Sequence, residues 1–161
     1  MKFENIKIWI FDLDGVLTDG KFTVSRYQGY EPNVSKTFSI NDTSAIFYLR
    51  ENGYQTFIVS GSNHVGKEYG QLMGIETFTG VHDKVQLIEN VILKNSKLKW
   101  ENVAFVGDAE NDTEVLKLAG LSLAPSNHIH EDVDLDYVSD KMGGNGAVHE
   151  MVKWFFSHLQ E

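Results

Sequence analysis

The sequence predicts an α/β fold with a doubly wound, mostly parallel sheet, and three observations lead there. The apolar runs are short and rich in β-branched and aromatic residues: Ile6–Phe11, Thr56–Val59 and Val103–Val106, with weaker ones at Leu121–Leu123 and Tyr137–Val138. Stretches with helical spacing separate them, so strand and helix alternate, as in a parallel sheet covered on both faces. The strong runs also stop on polar residues at one end: "DLDG", "SGS" and "GDAEND". In an open parallel sheet that end is where ligands bind.

The elements follow in order. "IKIWIFDLDGVLTDG" (Ile6 to Gly20) opens with the apolar first strand and breaks at Asp12 and Asp14. Lys21–Ser39 has β-rich ends around Gly29 and Pro32, which reads as a hairpin projecting from the sheet. Asp42 is placed to cap a helix over Ala45–Arg50, with Gly53 beyond its end. The strand "TFIVSGS" follows, then a helix over Val65–Met73 that stops at Gly74, then a short strand. "DKVQLIENVILK" sets Val85, Leu87, Ile88, Val91 and Ile92 at helical spacing, and "NDTEVLKLAG" runs as a helix from a cap-like Asn111 to Gly120. Gly146–Leu159 reads as a final amphipathic helix.

A chain of 161 residues with 42% hydrophobic content suits one domain spanning 1–161. Its apolar runs are too short for a transmembrane helix or a signal peptide. The net charge of −9 comes without a basic block, which argues against a nucleic-acid partner. Cysteine is absent, so disulfides and thiolate metal sites are excluded, and a cytoplasmic location fits.

If the strands are parallel neighbours, Asp12, Asp14, Ser60, Lys84, Asp108 and Asp112 converge on one sheet edge. That set suits phosphoryl transfer. Asp12 can attack phosphorus and form an aspartyl-phosphate. Asp14 can protonate the leaving oxygen and then deprotonate water. A phosphate beside several carboxylates needs a cation, since one like-charge pair about 4 Å apart costs roughly 4 kcal/mol at an effective dielectric of 20. Oxygen-only ligands suit Mg²⁺, with Asp12 and Asp108 as ligands and Asp112 supporting from behind. Ser60, Gly61 and Lys84 would hold the phosphoryl oxygens.

"FDLDGVLTDG", Ser60, Lys84 and "GDAEND" together resemble, in order, the four motifs of the haloacid dehalogenase-like phosphohydrolases. "FSINDTSAI", "GVHDK", "VAFVGDAEND" and "GGNGAVHE" are similar to those of 3-deoxy-manno-octulosonate 8-phosphate phosphatases, and equally to those of nonulosonate 9-phosphate phosphatases. The resemblance spans about Ile6 to Lys153. It implies a capless fold, Mg²⁺ dependence, Asp14 as a metal ligand through its backbone carbonyl, and a homotetramer built around the hairpin. It also implies a phosphorylated sugar acid as substrate, its sugar reaching toward Asp42, Ser44, Ser62 and Lys67. Spacing agrees on the missing cap: neither 20–41 nor 61–83 is long enough for a lid domain, so a neighbouring subunit would cover the site.

The chain departs from the octulosonate pattern at Ser62, where a charged group is usual, in the arginine-poor "HVGKEYGQLMG", at Ala109 and at His149. Weaker binding of a substrate carboxylate is the expected consequence. Two other classes compete. A signalling receiver domain also uses Asp, Lys and Mg²⁺, but places its phosphorylated Asp on a middle strand. A non-catalytic assembly module is opposed by the intact Asp12, Asp14, Lys84 and Asp108. His64, His82 and His128 lack metal-ligand spacing, and "HEDVDLDYVSD" reads as a solvated face.

Overall fold

A computed structural model describes residues 2–159. Its main sheet has six strands, all parallel, in the order β5-β4-β1-β6-β7-β8. β1 (Ile8–Phe11) sits between β4 (Gln55–Val59) and β6 (Val103–Val106). Every residue of β1 and β6 is buried, which is why their sequences run apolar without alternation. From β1 the chain first builds outward through β4 to β5 (Glu76–Phe78), then returns to β1's other side with β6, β7 (Leu121–Ala124) and β8 (Tyr137–Val138). The order therefore reverses at β1, and the crevice at a parallel sheet's reversal point is its ordinary ligand site.

Each face of β1 buries alternate side chains. Trp9 and Phe11 pack with Ile46 and Leu49 of α1 (Ile40–Glu51) and with Met151 and Phe155 of α6 (Ala147–His158). Ile8 and Ile10 pack on the other face with Phe105, Ile88, Ile92, Val115 and Leu116. Fully burying one such side chain contributes roughly 1.5–3 kcal/mol. α2 (Gly66–Met73) joins the first face through Tyr69. The second face is covered by α3 (Lys84–Leu87), which continues through a π-helical stretch (Ile88–Leu93) into α4 (Lys94–Ser96), and by α5 (Thr113–Leu118). Among the described residues no helix is long and apolar enough to cross a membrane.

β2 (Thr23–Ser25) and β3 (Asn33–Ser35) form a separate antiparallel hairpin outside the main sheet. Phe22, Val24, Tyr27 and Tyr30 lie exposed along it.

Two helix starts differ from expectation. α1 begins at Ile40 and is capped by Ser39, whose hydroxyl accepts from the Asp42 amide, so Asp42 is not its cap. Asn111 does not start α5: Glu110–Asp112 is a 3₁₀ turn and the α-helix begins at Thr113. The Asp112 carboxylate turns back onto the Asp108 and Ala109 amides, which tightens the entry.

Candidate active site

Four chain segments deliver charge to the carboxyl edge beside β1 and β6. Asp12 ends β1 and is almost fully buried. Its Oδ1 accepts from the Leu13 amide at 2.7 Å and lies 3.0 Å from Lys84 Nζ. Lys84, at the start of α3, donates to Asp112 Oδ1 at 2.6 Å. The other Asp112 oxygen accepts from the Asp108 and Ala109 amides at 3.0 and 3.2 Å. Asp112 is wholly buried and both its oxygens are occupied, so it braces the Lys84 ammonium and the Asp108 backbone from behind.

The crowding shifts these groups. Burial pushes Asp12 up to about 8, with Asp112 adding to the shift and Lys84 offsetting part of it. Burial, with Asp112 again adding, pushes Asp108 up to about 6. Burial pulls Lys84 down, but Asp12 and Asp112 outweigh it, so its pKa rises and it stays an ammonium.

The donor set fits a hard divalent cation. Oxygens of Asp12, Asp108 and Asp112 lie within 4.8 Å of one another, and Asp108 Oδ1 is buried without a hydrogen-bond partner among the described residues. Such an orphan acceptor is costly unless something positive meets it. Every ligand atom is a carboxylate oxygen, the preference of Mg²⁺.

The loop after β1 closes tightly on this group. Gly15 has φ +80°, and a Cβ there would lie 2.0 Å from Asp108 Oδ2, so only glycine fits. Asn127, just beyond β7, donates to the Gly15 carbonyl at 3.0 Å and reaches Asp108 Oδ2 at 3.5 Å. Its own Oδ1 accepts from the Gly143 amide at 2.7 Å, so one side chain ties three loops together.

Beyond β4, Ser60 is buried and its hydroxyl accepts from the Ser62 amide at 3.1 Å. Asp14 meets a different cation, Lys36. Lys36 donates to Asp14 Oδ1 and Oδ2 at 2.7 and 2.9 Å, and reaches Ser62 Oγ at 3.3 Å.

The residues expected to touch the sugar do not all converge here. Asp42 is a correction: it is 1% exposed, and its two oxygens accept from the Gly146 and His149 amides at 3.1 and 2.9 Å. It is spent on the N-terminus of α6, where a carboxylate meets free amides and a favourable dipole, so it is not free to bind a ligand. Ser44 lines a cavity of about 320 Å³ between α1 and α6, with Tyr48, His149 and Lys153. Lys67 is exposed on α2. Ser62 alone of these four joins the site, through Lys36. A larger cleft of about 780 Å³ beside α3 is lined by Asp83, Glu89, Glu110 and Glu114 as well as Lys84 and His82, an acidic balance that disfavours a phosphate.

Lys36 and Asn127 were missed from sequence. Asn127 sits past a strand's carboxyl end, so the rule that found Asp108 would have found it. Lys36 carried no such signal, because it follows a strand of the hairpin rather than of the main sheet.

A parallel sheet whose first strand ends on an Asp-x-Asp pair, with a serine on the next strand and a buried lysine held between two aspartates, defines a haloacid dehalogenase-type phosphoryl-transfer centre. Comparison with known proteins is consistent with this. The family model for haloacid dehalogenase-like hydrolases matches residues 70–132. The 3-deoxy-D-manno-octulosonate 8-phosphate phosphatase KdsC of Salmonella typhi is 31% identical over 153 residues, covering 93% of this chain and 79% of that protein. A probable yrbI family phosphatase structure from Pseudomonas syringae superposes with a TM-score of 0.88 at 30% identity, covering 97% of this chain and 88% of that one. The Moraxella catarrhalis octulosonate 8-phosphate phosphatase, solved with magnesium, phosphate and KDO, gives 0.87 at 25% identity, with the same coverage of 97% and 88%. The chain belongs to the 3-deoxy-D-manno-octulosonate 8-phosphate phosphatase family of haloacid dehalogenase-like hydrolases.

Proposed function

We propose that the chain hydrolyses a phosphorylated 2-keto-3-deoxy sugar acid of the octulosonate 8-phosphate type, with Mg²⁺ as cofactor. The observation that carries this is the buried Lys84 ammonium shared by Asp12 and Asp112, with the partnerless Asp108 oxygen beside it. Asp12 is the nucleophile and takes the phosphoryl group. Its burial suits the role: once desolvated, the carboxylate is not masked by a water shell. Lys84 holds Asp12 in place and faces the charge that builds on the phosphoryl oxygens. Ser60 and Gly61 bind those oxygens from the β4 side. Asp14 gives a proton to the leaving oxygen, then takes one from the water that hydrolyses the aspartyl-phosphate. Asp12, Asp108 and the Asp14 carbonyl would hold the Mg²⁺, which supplies compensation for the charge gathered on phosphate and carboxylates.

The sugar extends outward past Ser62. That hydroxyl is neutral where the octulosonate enzymes usually have a charged group, which favours a second acid, a nonulosonate 9-phosphate, as an alternative substrate. The site carries no cap domain. A two-stranded hairpin with exposed Phe22, Val24, Tyr27 and Tyr30 is marginal alone and gains by burial against other copies. A closed homotetramer in the cytoplasm, each hairpin packed on a neighbour, is the assembly this supports.

The deciding experiment compares kcat/KM on octulosonate 8-phosphate, a nonulosonate 9-phosphate and an uncharged hexose phosphate, each with Mg²⁺ and with EDTA. One of the two sugar acids should lead by tenfold or more, and EDTA should abolish turnover. A clear lead for the hexose phosphate would remove the sugar-acid assignment, and undiminished turnover after chelation would remove the metal.

A further inference from the structure

We infer that Lys36 is a positioning residue for the proton transfer, fixing the Asp14 carboxylate at the leaving-group side and making the hairpin's base part of the catalytic apparatus. The inference rests on Asp14 being the proton donor, as proposed above.

Lys36 follows directly on β3, so its backbone belongs to an otherwise exposed hairpin. Its side chain nevertheless turns inward and is 3% exposed, while that of Asp14 is 34% exposed. A lysine is almost never so buried unless paired. Here the pairing is complete. An ammonium has three hydrogens; Asp14 takes bonds at 2.7 and 2.9 Å on its two oxygens, and Ser62 Oγ lies at 3.3 Å.

Asp14 depends on this contact. Its other side-chain partner among the described residues is Thr18 Oγ1 at a long 3.4 Å. It also projects from a loop rather than from β1 itself. A carboxylate on a loop with one weak bond samples several rotamers, and a misplacement of about 1 Å in a reacting group can cost roughly 10²-fold in rate. Gripping both oxygens fixes the plane of the carboxylate as well as its position. The third contact, to Ser62, anchors the ammonium to the loop that follows Ser60 and Gly61. Lys36 thus spans from the proton donor to the phosphate-binding loop, while Lys84 lies between the nucleophile and Asp112.

The test separates positioning of a proton donor from general support of the fold. A p-nitrophenyl leaving group departs without a proton, whereas an alkyl leaving group needs one. Lys36→Met and Asp14→Asn are therefore compared with wild type through the ratio of kcat/KM on an alkyl phosphate to kcat/KM on p-nitrophenyl phosphate. This ratio reports the first half-reaction and cancels losses in folded fraction or phosphate binding. General acid catalysis contributes about 10²–10⁴-fold, so Asp14→Asn should lower the ratio by about a hundredfold or more, and Lys36→Met by about tenfold or more. If Lys36→Met does not fold, Lys36→Gln, which keeps a donor, should show the same selectivity at smaller size. An unchanged ratio in the Lys36 variants alongside a collapsed ratio in Asp14→Asn would overturn the role of Lys36 and leave Asp14 standing. An unchanged ratio in Asp14→Asn would overturn the reading of Asp14, and this inference with it.

Discussion

Two lysines reach the centre from opposite kinds of ground. Lys84 opens a helix packed on the core, is fully buried, and lies between two carboxylates that are themselves buried. Lys36 comes from an exposed hairpin and grips a carboxylate that is one-third open to solvent. The same ion-pair chemistry should therefore have different worth. Removing Lys84 leaves Asp12 and Asp112 facing each other out of water, and breaking such a buried pair costs about 3–5 kcal/mol. Removing Lys36 leaves a carboxylate already one-third open to water, which can rehydrate, so the loss should be smaller. Lys84 combines stability with catalysis, whereas Lys36 can serve geometry with a smaller stake in the fold.

The largest effect that would test this contrast is at the inner pole. Asp12→Asn should remove essentially all turnover, because the amide cannot attack phosphorus, while the fold persists. Lys84→Met should lose turnover and lower the unfolding free energy by several kcal/mol, and by more than Lys36→Met does. Denaturant titration of the three variants, run beside turnover assays, checks the ranking. Equal destabilisation by the two lysine variants would erase the distinction.

Next in size is the metal. Asp108→Ala deletes the buried oxygen that has no hydrogen-bond partner among the described residues, so the binding constant for Mg²⁺ should weaken by at least about tenfold. Calorimetric titration of the cation measures this without turnover. Unchanged affinity would show that the Asp108 oxygen faces something else.

The inner pole was legible in the sequence, and the outer one only in part. The β1 and β6 runs are continuous and apolar because both faces are covered, β4 ends on the buried Ile58 and Val59, and a polar residue ending such a run can only stand at the sheet edge. That logic placed Asp12, Ser60 and Asp108 at the ends of adjacent strands. The hairpin was legible from its turn residues, but not the inward turn of Lys36, since nothing in "VSKTF" says which way a side chain leaves an irregular segment. Asp42 misled for a related reason. An acid near a helix start reads as that helix's own cap, and its use by α6, over a hundred residues away in sequence, is a tertiary choice invisible to local pattern.

At the outer pole, the hairpin's apolar side chains can be tested without touching the charged cluster. Replacing Tyr27 and Tyr30 together by Ser removes two aromatic rings exposed at 74% each and leaves Lys36 in place. If the proposed tetramer assembles through the hairpin, light scattering should show smaller species than for wild type, and kcat/KM should fall several-fold with the loss of a neighbour's cover. A variant that stays assembled with unaltered activity would put the interface elsewhere.

The smallest expected effect is one of pH on the metal-free protein, and its sign follows from the inner pole. Folding raises Asp108 to about 6 and Asp12 to about 8, against an ordinary carboxylate value of 3.8. Between those values the folded state binds more protons than the unfolded one, so stability falls as pH rises. The contribution is fully present below 3.8 and is lost as pH climbs through about 6 and then about 8. In EDTA, the melting temperature should therefore drift down between about pH 5 and 8.5. Saturating Mg²⁺ should reverse the trend, because the cation binds the deprotonated carboxylates and its stabilisation grows with pH. Asp12→Asn should flatten the metal-free slope above about pH 6 and roughly halve it below, where both carboxylates hold a proton in the folded state that they lack in the unfolded one. A metal-free melting temperature that rises through this window would mean that the inner carboxylates are ionised and compensated without a metal.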